Sequence, residues 1–148
     1  MNKATIDQHY MKIALEAAKK AFESGEVPIG ALIVNKGEIM SIGQNMCEQN
    51  ASQTYHAEMV ALDKIKGLTL LDATIYTTHE PCPMCLGAII ESGIKRIVYG
   101  APEPRWGCLG GAVDLQPLFE LEVISGVFEE ECRDLIKNFF KVRRLACK

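Results

Sequence analysis

Two short segments constrain this chain more than anything else in it: His56-Ala57-Glu58 and Pro81-Cys82-Pro83-Met84-Cys85. Each stands at the beginning of a helical pattern, and each carries groups that bind metals or move protons. Cysteines at i and i+3 share one face of a helix. Pro81 places Cys82 and Cys85 in the first turn, where free backbone N–H groups and the helix dipole favour thiolates. Thiolate is the form that binds zinc. Taken alone, C-x-x-C has three readings: a redox dithiol, a structural zinc site or a catalytic zinc site. A redox dithiol belongs at the start of the first βα unit. Here the pair follows a later strand and lacks the usual small aromatic flank.

His56 supplies a third ligand from the start of another helix. Two thiolates and one neutral imidazole leave a tetrahedral zinc with a fourth position open to water, which is what separates a catalytic from a structural site. A structural site needs a fourth protein ligand. Cys47, Cys108, Cys132 and Cys147 are available, but none has a partner at ligand spacing. Glu58 follows His56 by two residues, which in a regular helix sets the two side chains on nearly opposite faces. Both can face one metal only if His56 lies at an irregular helix start. Glu58 can then take a proton from the water and deliver it to a leaving group without itself holding the metal.

Composition decides which setting suits such a site. The chain has 148 residues, 48% hydrophobic and 24% charged, which is an ordinary globular balance and suits one domain over residues 1–148. Disorder is excluded by the apolar fraction. There is no apolar run of membrane length and no apolar stretch after Met1, so the expectation is a cytoplasmic protein with reduced thiols. The net charge of −3 argues against a generic nucleic-acid coat protein. A local basic surface remains, because residues 133–148 hold Arg133, Lys137, Lys141, Arg143, Arg144 and Lys148 against the single acid Asp134. The plainer reading of that cluster is a solvated helix end that complements the helix dipole.

Periodicity lays out the rest. Residues 7–24 carry Tyr10, Ile13, Ala14, Ala17, Ala18, Ala21 and Phe22 on one helical stripe, and Gly25 is a natural stop. Residues 30–34 and 38–43 read as a hairpin across Asn35-Lys36-Gly37. Residues 45–55 are loop-like. Helices are expected over 56–66, 81–92 and 129–144, strands over 73–78, 96–99 and 121–125, and a Gly/Pro-rich loop over 101–111. This order predicts an α/β fold, a three-layer α/β/α sandwich on a five-stranded mixed sheet, with the later strands largely parallel.

H-A-E followed by P-C-x-x-C resembles the signature of the zinc-dependent cytidine and nucleobase deaminase superfamily. The resemblance extends over almost the whole chain and is strongest to the tRNA-specific adenosine deaminases. Glu26-Val27-Pro28-Ile29-Gly30 is similar to that family's approach to its first strand, and Gln44-Asn45 to its substrate-contacting asparagine. The segment Ser125 to Cys132, with Phe139-Phe140 and Arg143-Arg144, is similar to its final helix. The resemblance implies a cytidine deaminase-like fold and one Zn²⁺ held by His56, Cys82 and Cys85, with Glu58 as the catalytic acid–base group. It also implies substrate contacts from Asn45, Pro28, Ile29, Ala57, Arg105 and Trp106. Lys141, Arg143 and Arg144 are implied on RNA, and a homodimer is implied as the assembly. The activity it implies is hydrolysis of adenosine to inosine at the wobble position of a tRNA anticodon stem-loop. The alternative substrate is a free base or nucleoside, guanine or cytosine. An inactive or structural zinc protein and a pure RNA binder are the remaining readings.

The departures from that family fall in substrate-side loops. Ser52-Gln53-Thr54-Tyr55 stands where Asp-Pro-Thr-Ala is usual, and Pro102-Glu103-Pro104-Arg105-Trp106-Gly107 where Arg-Asp-x-Lys-Thr-Gly is usual. Gly111 replaces a serine, and the stretches 56–82 and 114–123 are shorter than the family's. The segment 43–56 also resembles fungal cytosine deaminase. Trp106 reads either as a lid packing on its own domain or as a platform for a flanking base. His79 reads either as a pocket residue or as an ordinary strand-end histidine.

Overall fold

Lys36 and Gly37 take φ of 50° and 78°. Two successive positive φ values make the primed turn that matches the twist of paired strands. The turn closes an antiparallel hairpin of β1 (Gly30–Asn35) and β2 (Glu38–Gln44), with Asn35 opposite Glu38. The computed structural model describes residues 1–146; Cys147 and Lys148, counted above as a spare ligand and a tail cation, lie outside them. The other elements are α1 (Lys3–Glu23), α2 (Ala57–Asp63), β3 (Ala73–His79), α3 (Pro83–Glu91), β4 (Arg96–Ala101), β5 (Glu122–Ile124) and α4 (Glu129–Ala146), with a short 3-10 turn at Gln116–Leu118. The sheet order is β2-β1-β3-β4-β5. β3 joins β1 antiparallel, while β3–β4 and β4–β5 are parallel. The α/β fold on a five-stranded mixed sheet is thus the one expected.

The sheet is covered on both faces, which is why β1 reads as an unbroken apolar run. Ala31 and Ile33 point into a core with Ala57 and Ala61 of α2, Leu86 and Ile89 of α3, and Ile75 and Ile97 of the sheet. Leu32 and Val34 point the other way, to Met11 and Ala14 of α1 with Tyr76 and Val98. Cys132 of α4 packs with Leu15 of α1 and Ala101 on that same side. Full burial of a side chain such as Leu32 or Ile75 stabilises the fold by about 1.5–3 kcal/mol. Two glycines set how closely the helices approach. A Cβ at Gly30 would strike the Ala14 carbonyl of α1, and one at Gly43 the Ala57 carbonyl of α2.

Three of the differences between the observed boundaries and the periodic pattern have clear local causes. α1 begins four residues earlier than expected, at Lys3, because the Asn2 side chain accepts from Thr5 N at 2.9 Å and caps a first turn with no apolar stripe. α2 ends at Asp63, short of 66, where the chain turns toward Gly67 at φ 89°. α3 begins at Pro83 and not at 81. Pro83 is the N1 proline, and the residue before a proline is driven out of the helical region. Cys82 is accordingly the N-cap, extended at ψ 168°. No helix among the described residues is long and apolar enough to cross a membrane.

One buried ion pair ties α1 to the sheet. Asp7 is 3% exposed. Its two carboxylate oxygens accept from both Arg96 terminal nitrogens at 2.8 Å, and the Tyr76 hydroxyl donates to Asp7 Oδ1 at 2.8 Å. Burial raises the Asp7 carboxyl, but the Arg96 and Tyr76 hydrogen bonds outweigh it and hold the group below its ordinary value. The unfolded chain therefore binds a proton more readily, and the stabilisation is present above the ordinary carboxylate range and lost as pH falls through the folded value. Asp7→Asn should cost about 2–3 kcal/mol at pH 7. In urea unfolding, the gap between variant and wild type should close as pH is lowered below about 4. A gap that persists at low pH would show that packing, not charge, holds Asp7.

Candidate metal centre

The two helices α2 and α3 lie side by side on one face of the sheet and present their first residues to the same point. His56 is the N-cap of α2, extended at ψ 160°. Cys82 is the N-cap of α3, and Cys85 lies in its first turn. His56 Nδ1 is 3.8 Å from Cys82 Sγ and 3.4 Å from Cys85 Sγ. All three ligand atoms lie within 4.8 Å of one another. A tetrahedral zinc with bonds of about 2.3 Å to sulfur and about 2.0–2.1 Å to nitrogen separates S and N ligands by about 3.6 Å. The two measured distances bracket that value, so the residues fit the ion. Among the described residues no fourth His, Cys, Asp or Glu joins the group. Cys108 donates to the Pro81 carbonyl at 3.1 Å, Cys132 is on the far face of the sheet, and Cys47 bonds Asn45. The donor set is that of an open, three-ligand site.

Electrostatics matches the chemistry. Without the ion, Cys85 donates its thiol proton to Cys82, which pulls Cys82 down to about 4 and pushes Cys85 up. The hydrogen bond to Cys82 raises His56, and the Gln53 carbonyl against the ring acts in the same direction. Such a backbone partner fixes the tautomer of a ligating imidazole. Glu58, 4% exposed, is pushed up to about 7 by burial. The extended backbone at His56 is the irregular helix start that lets His56 and Glu58 face one point.

His56 also lines a cleft of 220 Å³ with Glu26, Val27, Ile29, Asn45, Cys47, Glu48 and Arg143. Larger grooves of 460 and 480 Å³ run along α1, away from the metal group. Of the residues implied as substrate contacts, Asn45 and Ile29 line this cleft. Pro28, expected as a wall, is not among its lining residues; it is buried in the segment that leads the chain into β1. Ala57 is fully buried at the start of α2. Arg105 and Trp106 lie in the loop after β4 and do not line the cleft; Trp106 is 70% exposed. Arg143 reaches the cleft from α4 and sits 3.6 Å from Glu48, whereas Lys141 and Arg144 are exposed outside it. His79 ends β3 and hydrogen-bonds Glu103 of the 102–111 loop at 2.7 Å.

Sequence reasoning missed two buried carboxylates. Glu26, fully buried, accepts from Glu48 N at 3.0 Å and Gln49 N at 2.8 Å and so pins the loop that follows Asn45. Glu80, 3% exposed, accepts from the backbone N–H groups of Glu103, Leu109 and Gly111 at 2.8–2.9 Å and pins the loop beside Cys82. A side chain at Gly107 or Gly111 would run into that carboxylate, which accounts for glycine at 111. The available signal was a charged residue directly ahead of an apolar strand or of Pro81-Cys82.

Removal of a ligand gives a direct test. Cys85→Ser should lose most of the zinc from a protein that otherwise holds one ion per chain, measured by metal analysis after gel filtration. Stoichiometric zinc in each of the His56, Cys82 and Cys85 single variants would refute the ligand set.

Comparison with known proteins agrees with this geometry. Residues 4–101 match the cytidine and deoxycytidylate deaminase zinc-binding region. The chain is 45% identical to the tRNA-specific adenosine deaminase of Bacillus subtilis, over 95% of this chain and 92% of that protein. It is 40% identical to the Haemophilus influenzae protein of the same name, over 96% and 87%. A solved structure from a study of A-to-I editing by tRNA:A34 deaminases superposes with a TM-score of 0.76 at 32% identity, covering 86% of this chain and 98% of that one. A bifunctional deaminase/reductase of Thermotoga maritima superposes with a TM-score of 0.77 at 33% identity, covering 94% of this chain and 41% of that one. With its site geometry and these matches together, the chain belongs to the zinc-binding cytidine and deoxycytidylate deaminase family.

Proposed function

We propose that this chain is a zinc-dependent hydrolase that converts adenosine to inosine at the wobble position of a tRNA anticodon, releasing ammonia. The observation that carries the chemistry is a buried, non-ligating carboxylate, Glu58, beside a three-ligand metal group whose His56 lines a cleft. Substrate choice is supported by the full-length likeness to tRNA-specific adenosine deaminases.

His56, Cys82 and Cys85 hold the ion, which when bound supplies Lewis-acid activation of water at neutral pH. Glu58 takes one proton of the attacking water on its carboxylate and delivers it to a ring nitrogen of the purine; it then takes the second proton, from the hydroxyl now on the attacked carbon, and passes it to the amine, which leaves as ammonia as the C–N bond breaks and the C=O bond forms. Burial raises Glu58 toward neutrality, so one group can serve as base and then as acid within one turnover. Asn45 hydrogen-bonds the base, Ile29 forms an apolar wall backed by Pro28, and Ala57 keeps the metal side of the pocket narrow. Because the substrate base must be splayed out of its loop, the chain also needs outer contacts. Trp106, with Arg105, stacks on a flanking nucleotide or covers the pocket, and Lys141, Arg143 and Arg144 meet phosphates. The protein works in the cytoplasm as a homodimer.

Activity on an anticodon stem-loop carrying adenosine at the wobble position, set beside adenine, guanine, cytosine and their nucleosides, tests the assignment. Inosine should form in the stem-loop and the small molecules should be poor substrates. Robust turnover of a free base with none on RNA would replace the tRNA reading with the small-molecule one. In the same assay Glu58→Ala should keep its zinc and melting temperature and lose about 100- to 10,000-fold in rate.

Replacing Arg143 and Arg144 together with alanine should weaken stem-loop binding. The slope of log affinity against log salt should become shallower by about 1.4–1.8, the value for two phosphate contacts. An unchanged slope, by fluorescence anisotropy across a salt series, would return the basic cluster to a dipole-complementing helix end.

A further inference from the structure

Cys47 takes no part in the reaction above, yet it lies on the cleft wall beside Asn45. Its Sγ is 3.1 Å from Asn45 Oδ1 and 3.7 Å from the Gln53 carbonyl oxygen. A thiol has one proton to donate, and the shorter contact receives it. Burial raises the Cys47 thiol above its ordinary value, and the Glu26 carboxylate adds to this, so the group stays a donor at neutral pH. Asn45 is 6% exposed, and its backbone N–H is fixed on the Ile29 carbonyl at 3.1 Å. Its carboxamide is not fixed by the backbone, because the terminal amide torsion is broad and close to two-fold. Left alone, it can offer either its oxygen or its nitrogen to the cleft. Among the described residues the carboxamide is hydrogen-bonded to Cys47 alone.

We propose that Cys47 is a positioning residue: its thiol holds Asn45 Oδ1, so the cleft meets the Asn45 N–H donor and selects a base edge that presents an acceptor there. This rests on the reading of Asn45 as a base contact given above. A purine ring nitrogen satisfies the donor. An exocyclic amino group at that point would face N–H with N–H and leave both unpaired in a buried site, an arrangement that costs affinity. The device thus turns the amino group that must leave away from Asn45 and toward the metal side. A weak S–H donor is adequate, since it has only to bias a two-fold choice.

The test is steady-state kinetics of the zinc-loaded chain on whichever substrate the assay above identifies, with Cys47→Val, Cys47→Ser, Asn45→Ala and the Cys47→Val/Asn45→Ala double variant. Cys47→Val should raise KM by about 3- to 10-fold with kcat within about twofold, as loss of uniform binding does. Cys47→Ser, which keeps a donor, should recover to within about twofold. The double variant should be no worse than Asn45→Ala alone, because the thiol acts only through the amide. Zinc content and melting temperature should stay level across the set. Additive effects, a KM unmoved by Cys47→Val while Asn45→Ala raises it, or loss of zinc in Cys47→Val would each overturn the proposal. A silent Asn45→Ala would instead remove Asn45 from the substrate site, and the inference with it, so the two failures are told apart by that single variant.

Discussion

The metal group depends on two residues that are not helical. Cys82 and His56 are N-caps with ψ of 168° and 160°, and both are held extended at the point where a helix begins. The extended cap keeps Cys82 ahead of the helix with Cys85, three residues on, still on its side, and a helical His56 would turn its ring away from Glu58. The proline at 83 enforces the first case by excluding the helical region for the residue before it. The rest of the fold then has to bring the two caps together. It does so by placing β1 between β2 and β3, so that α2 and α3 lie next to each other over one face of the sheet. Gly43 lets α2 sit down on β2 at Ala57 and Ala61, without which the His56 cap would stand off from Cys82.

Three buried acids do what regular structure cannot. The loops after β2 and β4 carry or flank the site but contain few ladder hydrogen bonds of their own. Glu26 and Glu80 gather backbone N–H groups from them, two and three respectively. Such charge-assisted bonds are about twice as strong as neutral ones, and they satisfy donors that a buried loop would otherwise leave unpaired. Each acid is anchored next to the metal group's own segments: Glu26 four residues before β1, Glu80 two before Cys82. Asp7 performs a similar task at the other end of the sheet, where Arg96 and Tyr76 lock α1 in place. The site is thereby held from its loops as well as from its helices.

What could be read from the sequence follows from range. Hairpin and helix stripe depend on neighbours within a few residues, and Lys36-Gly37, Gly25 and the branched run of β1 announced them; the parallel order of the later strands followed from the alternation of strand and helix patterns, since parallel neighbours need a crossover. The metal group was legible because ligand chemistry restricts residue type and spacing so tightly. Cap positions were less so. Two prolines flank Cys82, and only Pro83 sits at N1, which the apolar pattern of α3 does not distinguish. The partners of Glu26 and Glu80 were invisible in principle. They are backbone amides more than twenty residues away, and an amide leaves no mark in the choice of side chain.

The same carboxylate network links the basic helix end to the cleft. Glu26 fixes the backbone of Glu48, and the Glu48 side chain meets Arg143 of α4 at 3.6 Å. Arg143 also stacks over Phe139, its guanidinium 5.5 Å from the ring centre, which holds the cation at the rim. A chain of net charge −3 therefore keeps a cation at the mouth of a cleft whose walls include two acids. The Glu48–Arg143 pair sits at a half-exposed site, where such an ion pair is worth about 0–1 kcal/mol. That pair bears on the Glu48 side chain but not on the loop backbone, because Glu26 holds the backbone separately. The fold thus separates a weak, half-exposed contact at the cleft mouth from the buried contacts that keep the cleft in shape.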